Sequence, residues 1–176
     1  NQLSGQGITV RRVRTAHGFH SRSMDDVLPE FEGFLSGLAL RKPDIPLLSN
    51  VSGSWLTDAE ATDPGMWARQ VRQTVRFADE VDAMLAHPFR VLVEVGPGGS
   101  LTASAVRHPR WSNGHRAVRL MRHPTQNRDD RDVFLLGLGQ LWAAGIDVDW
   151  TPLSSGRRPR VVSLSGYPSA QERNSA

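Results

Sequence analysis

Apolar and polar positions alternate along residues 8–15 (ITVRRVRT), the period of a half-buried strand. The alternation stops at the stretch HGFH, residues 17–20, and a different period follows. Val27/Leu28, Phe31, Phe34/Leu35 and Leu38 recur every three to four residues, which predicts a helix from Met24 onward. Ser23 followed by Asp26 has the form of a capping box. Pro29 is tolerated only in a first helical turn, so the helix begins a residue or two later than its polar cap suggests. His17 and His20 thus fall between the end of a strand and the N-terminus of a helix, a position where α/β folds carry functional loops.

The pattern continues in the same style. Residues 45–53 (IPLLSNVSG) read as a short buried strand closed by turn residues, and residues 62–74 as a helix with Asp63 at its N-cap and Pro64 at its first position. Residues 77–86 (FADEVDAMLA) keep helical period, and residues 90–99 (RVLVEVGPGG) form a nearly continuous apolar run broken by Gly-Pro-Gly. Such runs belong to parallel strands covered on both faces. Residues 117–121 (AVRLM) predict another strand, and residues 129–145 an apolar helix closed by Gly145. Polar, charged composition near Arg122 and the Ser/Gly/Pro/Arg-rich residues 151–160 read as linkers. The fold class expected is α/β.

Composition narrows the possible chemistry. The 176 residues suit one ordinary domain, and 39% hydrophobic content is enough for a core. With no cysteine there is no disulfide frame and no thiolate nucleophile. The pI of about 10.4 reflects arginine dominance, since 21 basic against 18 acidic side chains leave a formal charge of only +3. The basic residues are scattered and interleaved with acidic ones, which argues against nucleic acid as a partner. No run is long and apolar enough for a membrane span and the first residues lack the pattern of a signal peptide, so the expected setting is cytoplasmic, with no membrane partner.

Two readings of His20 stand side by side on spacing alone: a loop histidine making one hydrogen bond, or a base that takes a proton from a serine hydroxyl once another group orients its ring. A metal site built from His17 and His20 with His108, His115 or His123 lacks ligand spacing, and no metal is expected. EVGPGGSLT lacks both the Lys-Ser/Thr ending and the full glycine spacing of a phosphate loop, and reads as a tight turn into a helix.

Five blocks in register, TAHGFHSRSMDDVLPEF, IPLLSNVSGSWLTD, DPGMWARQVRQTVRFADEV, VLVEVGPGGSLT and LGQLWAAGIDVDW, strongly resemble the C-terminal half of the acyltransferase domain of type I polyketide synthases, relatives of malonyl-CoA:acyl-carrier-protein transacylases. The resemblance implies an α/β-hydrolase-like subdomain with a ferredoxin-like one inserted before the histidine. Residues 1–16 would be the last strand of the small subdomain, residues 17–122 the C-terminal part of the large one, and residues 123–176 the domain end and the linker that runs back against a ketosynthase. It further implies a serine nucleophile that carries a malonyl group from malonyl-CoA to the phosphopantetheine thiol of an acyl carrier protein, with no cofactor in the domain itself.

By the same resemblance His20 matches the catalytic base, and Arg76 the residue whose main-chain carbonyl accepts from the other ring nitrogen. His17, Gly18 and Phe19 fall on the substrate-selecting motif, in which His-Ala-Phe-His goes with malonyl and Tyr-Ala-Ser-His with methylmalonyl. Gly18 departs from the usual alanine. The Gly-His-Ser-x-Gly elbow is absent, Ser100 in GGSLT matching on one side only, and the arginine that holds the malonyl carboxylate is expected upstream of Asn1. The chain therefore reads as part of a domain, inactive without its N-terminal half. Its end, SLSGYPSAQERNSA, keeps Tyr167-Pro168 but lacks the apolar anchors of the family linker. A reading of another class is a non-catalytic scaffold fragment of such a synthase.

Overall fold

The computed structural model describes residues 2–10, 15–154 and 162–163. In chain order these form α1 (Gln2–Gly5), a 3-10 turn at Arg22–Val27, α2 (Leu28–Ser36), α3 (Asp58–Ala61), α4 (Pro64–Arg72), α5 (Phe77–Met84), β1 (Arg90–Glu94), α6 (Ser100–Val106), β2 (His115–Arg119), α7 (Asp130–Ala143) and a 3-10 turn at Thr151–Ser154. Strands β1 and β2 are parallel, with Arg90 opposite His115 and Glu94 opposite Arg119. A parallel pair needs a crossover, and α6 supplies it. Among the described residues no helix is long and apolar enough to cross a membrane.

Local chemistry sets most of these boundaries. The Asp63 side chain accepts from Gly65 N at 2.9 Å with Pro64 in the first turn, and the Asp129 side chain accepts from Arg131 N at 2.8 Å and Asp132 N at 3.3 Å. Beyond α7 the chain leaves through Gly145, whose φ of 86° suits glycine. The buried centre is Val81 and Leu85 of the α5 region with Ala105 of α6, against which Phe77, Met84, Leu92 and Trp111 pack. Withdrawing a side chain such as Val81 from water is worth about 1.5–3 kcal/mol, so this small cluster fastens α5 and α6 to the sheet.

Three expected elements differ. Residues 8–10 belong to no strand, and Ile8 and Val10 are half exposed; residues 11–14 of the expected strand lie outside the described residues. Alternation becomes a strand only where a neighbour supplies the ladder, and none runs alongside among the described residues. The ferredoxin-like strand expected for residues 1–16 falls partly on residues 1 and 11–14, outside the described residues. Residues 45–53 form a tight turn with an isolated Leu48–Trp55 bridge. The buried Ser49 hydroxyl accepts from Val51 N at 3.2 Å and Ser52 N at 3.4 Å, a local bond that outcompetes a sheet ladder. Third, the cap of the turn after the histidines is Ser21, accepting from Ser23 N at 3.2 Å, and the α-helix starts at Leu28 with Pro29 in its first turn. Most of the linker expected at residues 151–160 and the Tyr167-Pro168 segment lie outside the described residues.

Candidate active site

His20 is attached to the end of α4 twice. Its N–H donates to Val71 O at 3.0 Å, and its ring Nδ1 lies 2.9 Å from Gln73 O. A carbonyl only accepts, so Nδ1 carries the proton, and in the neutral ring Nε2 keeps its lone pair. Among the described residues nothing hydrogen-bonds Nε2 of this exposed side chain. The backbone at His20 has φ 59°, the left-handed region that costs a side-chain-bearing residue about 1–2 kcal/mol. The two bonds to α4 hold it there, and strain of this kind collects where a group must point in one direction.

The resemblance puts the orienting carbonyl at Arg76, whereas the carbonyl within hydrogen-bond distance of His20 Nδ1 is that of Gln73, three residues back. Arg76 O accepts from Asp79 N and Glu80 N, both at 3.1 Å, as the start of α5, so it faces its own helix. Gln73 is the C-cap of α4, where a carbonyl is left without a helical donor and is free to accept from an imidazole. Arg76 contributes otherwise: its N–H donates to Asn50 O at 2.9 Å and its guanidinium pairs with Asp79 at 2.8 Å.

The rest of the loop is built from short polar contacts. Ser21 Oγ donates to Gly18 O at 2.6 Å and lies 3.1 Å from Ser23 Oγ. A Cβ at Gly18 would lie 2.9 Å from Ser23 Oγ and 3.0 Å from Ser21 Oγ, so glycine lets both serines close over it. Asp25 in the following turn pairs with Arg72 of α4, tying the loop to the same helix a second way. His17 and Phe19 meet edge to face with ring centroids 6.0 Å apart. Phe19 is 56% exposed and lines an apolar hollow of about 410 Å³ with Met24, Val27, Phe31, Phe34 and Val71.

Histidines outside the loop are occupied locally. His115 is buried, accepts from Ser112 N at 3.0 Å through Nδ1, and donates from Nε2 to His87 O at 3.1 Å. His123 Nδ1 lies 2.7 Å from Thr125 Oγ1. Among the described residues no three His, Asp or Glu side chains gather as metal ligands. The Gly-Pro-Gly-Gly turn leads into α6 as the sequence implied, and the first turn of that helix is filled from within. Glu94 accepts from Leu101 N at 3.2 Å, Thr102 N at 2.9 Å and Thr102 Oγ1 at 2.8 Å. Burial pushes this carboxyl up, but the Thr102 and Leu101 donors and nearby Arg119 outweigh it and hold the group below the ordinary carboxylate range.

Sequence reasoning missed Gln73, Asn50 and Glu80. A main-chain acceptor leaves no side-chain signal. Glu80, however, falls three residues after Phe77 and four before Met84, on the apolar stripe of α5, and a carboxylate there is a legible anomaly.

Comparison with known proteins places the chain in a family. Residues 1–148 match the family model described as "Acyl transferase domain". The chain is 58% identical over 176 residues to a phenolphthiocerol/phthiocerol polyketide synthase polypeptide of Mycobacterium tuberculosis, covering 98% of this chain and 12% of that protein's length. Among solved structures, the acyl transferase domain of SpnD in complex with 2-(pent-4-yn-1-yl)malonyl superposes with a TM-score of 0.76 at 44% identity, over 82% of this chain and 35% of that one. The acyl transferase domain of ZmaA gives a TM-score of 0.80 at 31% identity, over 93% of this chain and 37% of the other. With its mixed helices and parallel strands and its histidine loop fastened to a helix end, the chain belongs to the acyl transferase domain family, as a segment of the kind of acyltransferase domain carried by polyketide synthases.

Proposed function

We propose that His20 is the general base of an acyl transfer in which a malonyl group passes from malonyl-CoA to a serine on polypeptide outside this chain, and from there to the phosphopantetheine thiol of an acyl carrier protein. The observation that carries this reading is the bond from His20 Nδ1 to Gln73 O at 2.9 Å, which leaves Nε2 as a fixed acceptor. In the first half-reaction Nε2 takes the hydroxyl proton as the serine oxygen forms its bond to the thioester carbonyl. The carbon–sulfur bond then breaks, and the imidazolium returns the proton to the departing thiolate, releasing CoA. In the second half the same nitrogen takes the carrier thiol's proton as sulfur attacks the serine ester, and gives it back to the serine oxygen.

A main-chain carbonyl serves in place of a carboxylate as the orienting group. Phe19, with His17 against its edge, sets the preference for malonyl, because an α-methyl would compete with the ring for space. Binding the malonyl carboxylate belongs to an arginine outside this chain, so the chain alone is inactive. A ketosynthase reached through the C-terminal linker and the acyl carrier protein are its partners, in the cytoplasm. The test uses a complete acyltransferase domain carrying this segment, incubated with radiolabelled malonyl-CoA. Serine-bound label, much reduced by His20→Ala, supports the reading; a domain that folds and takes up no label supports the scaffold alternative.

A further inference from the structure

Behind the corner between α4 and α5 lies a polar contact that packing does not explain. Glu80 sits on the buried side of α5 beside Val81 and is 6% exposed, and burial pushes its carboxyl above the ordinary range. The guanidinium of Arg76, one turn away, is committed to Asp79 on the outer side. The group that faces Glu80 is the side-chain amide of Asn50; with that amide turned so that its nitrogen faces the carboxyl, the orientation its neighbours' donors and acceptors call for, the nitrogen donates to the two carboxyl oxygens at 2.5 and 3.1 Å and the oxygen accepts from Gln70 Nε2 at 3.3 Å. Asn50 O accepts from Arg76 N at 2.9 Å. One residue on the turn at 49–55 is thereby bonded to α4, to α5 and to the residue at which α5 begins.

The turn is pressed against the corner by shape as well. Gly53, at φ 71°, approaches α5 so closely that a Cβ there would collide with Asp79 Cβ and lie 3.3 Å from Arg76 Cβ. The corner held in this way, residues 73–76, carries the Gln73 carbonyl that fixes the His20 ring. A buried carboxylate without a cation is a poor way to stabilise a helix, since an apolar side chain of similar volume packs at lower cost. Its advantage is directional: two oxygens and an amide allow one spacing between the helices, where hydrophobic packing tolerates several.

We infer that Asn50 and Glu80 are positioning residues for the histidine, setting the spacing of α4 and α5 and through it the place of the Gln73 carbonyl. This rests on the reading of His20 as the base. The experiment compares Glu80→Leu, Glu80→Gln and Asn50→Ala in a complete acyltransferase domain, by the rate of serine acylation from malonyl-CoA and by ¹⁵N NMR of histidine-labelled protein. Glu80→Leu is expected to melt no lower than the parent, to lose up to about 100-fold in kcat with KM for malonyl-CoA unchanged, and to move the His20 Nδ1–H resonance. Glu80→Gln, which keeps an acceptor oxygen toward Asn50, is expected to recover most of the rate and the parent resonance.

Asn50→Ala removes the same bond from the other side and carries the test if the leucine variant does not fold; the same resonance shift is expected. A folded Glu80→Leu or Asn50→Ala variant with the parent rate and resonance overturns the inference, as does a rate loss that Glu80→Gln shares in full. If the parent domain takes no acyl group, the reading of His20 fails, and the Nδ1–H resonance alone still decides whether Asn50 and Glu80 position the ring.

Discussion

Glu94, half-buried at the end of β1, and Glu80, buried on the apolar side of α5, are pushed in opposite directions by their surroundings. Glu94 is met by two backbone N–H groups and a hydroxyl at the start of α6, and its carboxyl is held low. Glu80 is met by one amide, and burial carries it high. In the sheet region a half-buried carboxylate closes a helix end and adds to stability. In the corner region a buried carboxyl and a left-handed histidine cost stability, and the turn at 49–55 lies close against α5. On the proposed reading of His20, the strained backbone lies at the base itself.

Substitutions on the two sides should separate rate from stability. The largest effect is expected from His20→Ala: loss of a general base lowers serine acylation by about 10²–10⁴-fold. Its side chain is exposed, so the melting temperature should hardly move. Leu85→Ala is the converse, removing a buried side chain beside Val81 and Ala105 and costing about 2–5 kcal/mol in denaturant unfolding, with the rate per folded molecule unchanged. A comparable rate loss per folded molecule in both variants would erase the distinction between the regions.

Phe19→Ser comes next. A methyl-sized discrimination is worth about 1–3 kcal/mol, so competition between malonyl-CoA and methylmalonyl-CoA should favour malonyl in the parent and narrow by roughly that amount in the variant. Smallest is Glu94→Ala, which leaves the first turn of α6 without its acceptor and should lower stability by about 1–2 kcal/mol.

The carboxylates also predict opposite pH dependences. Glu94, lowered on folding, contributes stability that is full above its unfolded value of about 4.3 and is lost as pH falls through the folded value. Glu80, raised on folding, favours the fold most below that unfolded value and progressively less as pH climbs through the folded one. Unfolding midpoints followed from acid to neutral pH should show Glu94→Gln flattening the acid-side loss and Glu80→Gln raising stability at neutral pH.

Much of this is legible in the sequence where side chains act locally. Asp63 with Pro64, and Asp129 with Gly145, mark helix ends through their own capping chemistry, and the nearly continuous apolar run before Gly-Pro-Gly marks a parallel strand. Residues 45–53 mislead because the hydroxyl of Ser49 bends a segment whose composition favours extension. The loop and the resemblance both point to the histidine, but the resemblance puts its partner at Arg76 instead of Gln73. Which carbonyl is left free depends on where α4 stops, and helix ends are the least certain feature of a sequence reading.

The measurement that bears most directly on His20 is the tautomer of its ring in the neutral state, read from ¹⁵N shifts of histidine-labelled acyltransferase domain and assigned by comparison with His20→Ala. A ring bonded to Gln73 O must carry its proton on Nδ1, leaving Nε2 as the base. An Nδ1–H tautomer with a protected proton is the predicted result. An Nε2–H tautomer would contradict it, because that nitrogen would then have no lone pair with which to take a proton from the nucleophile.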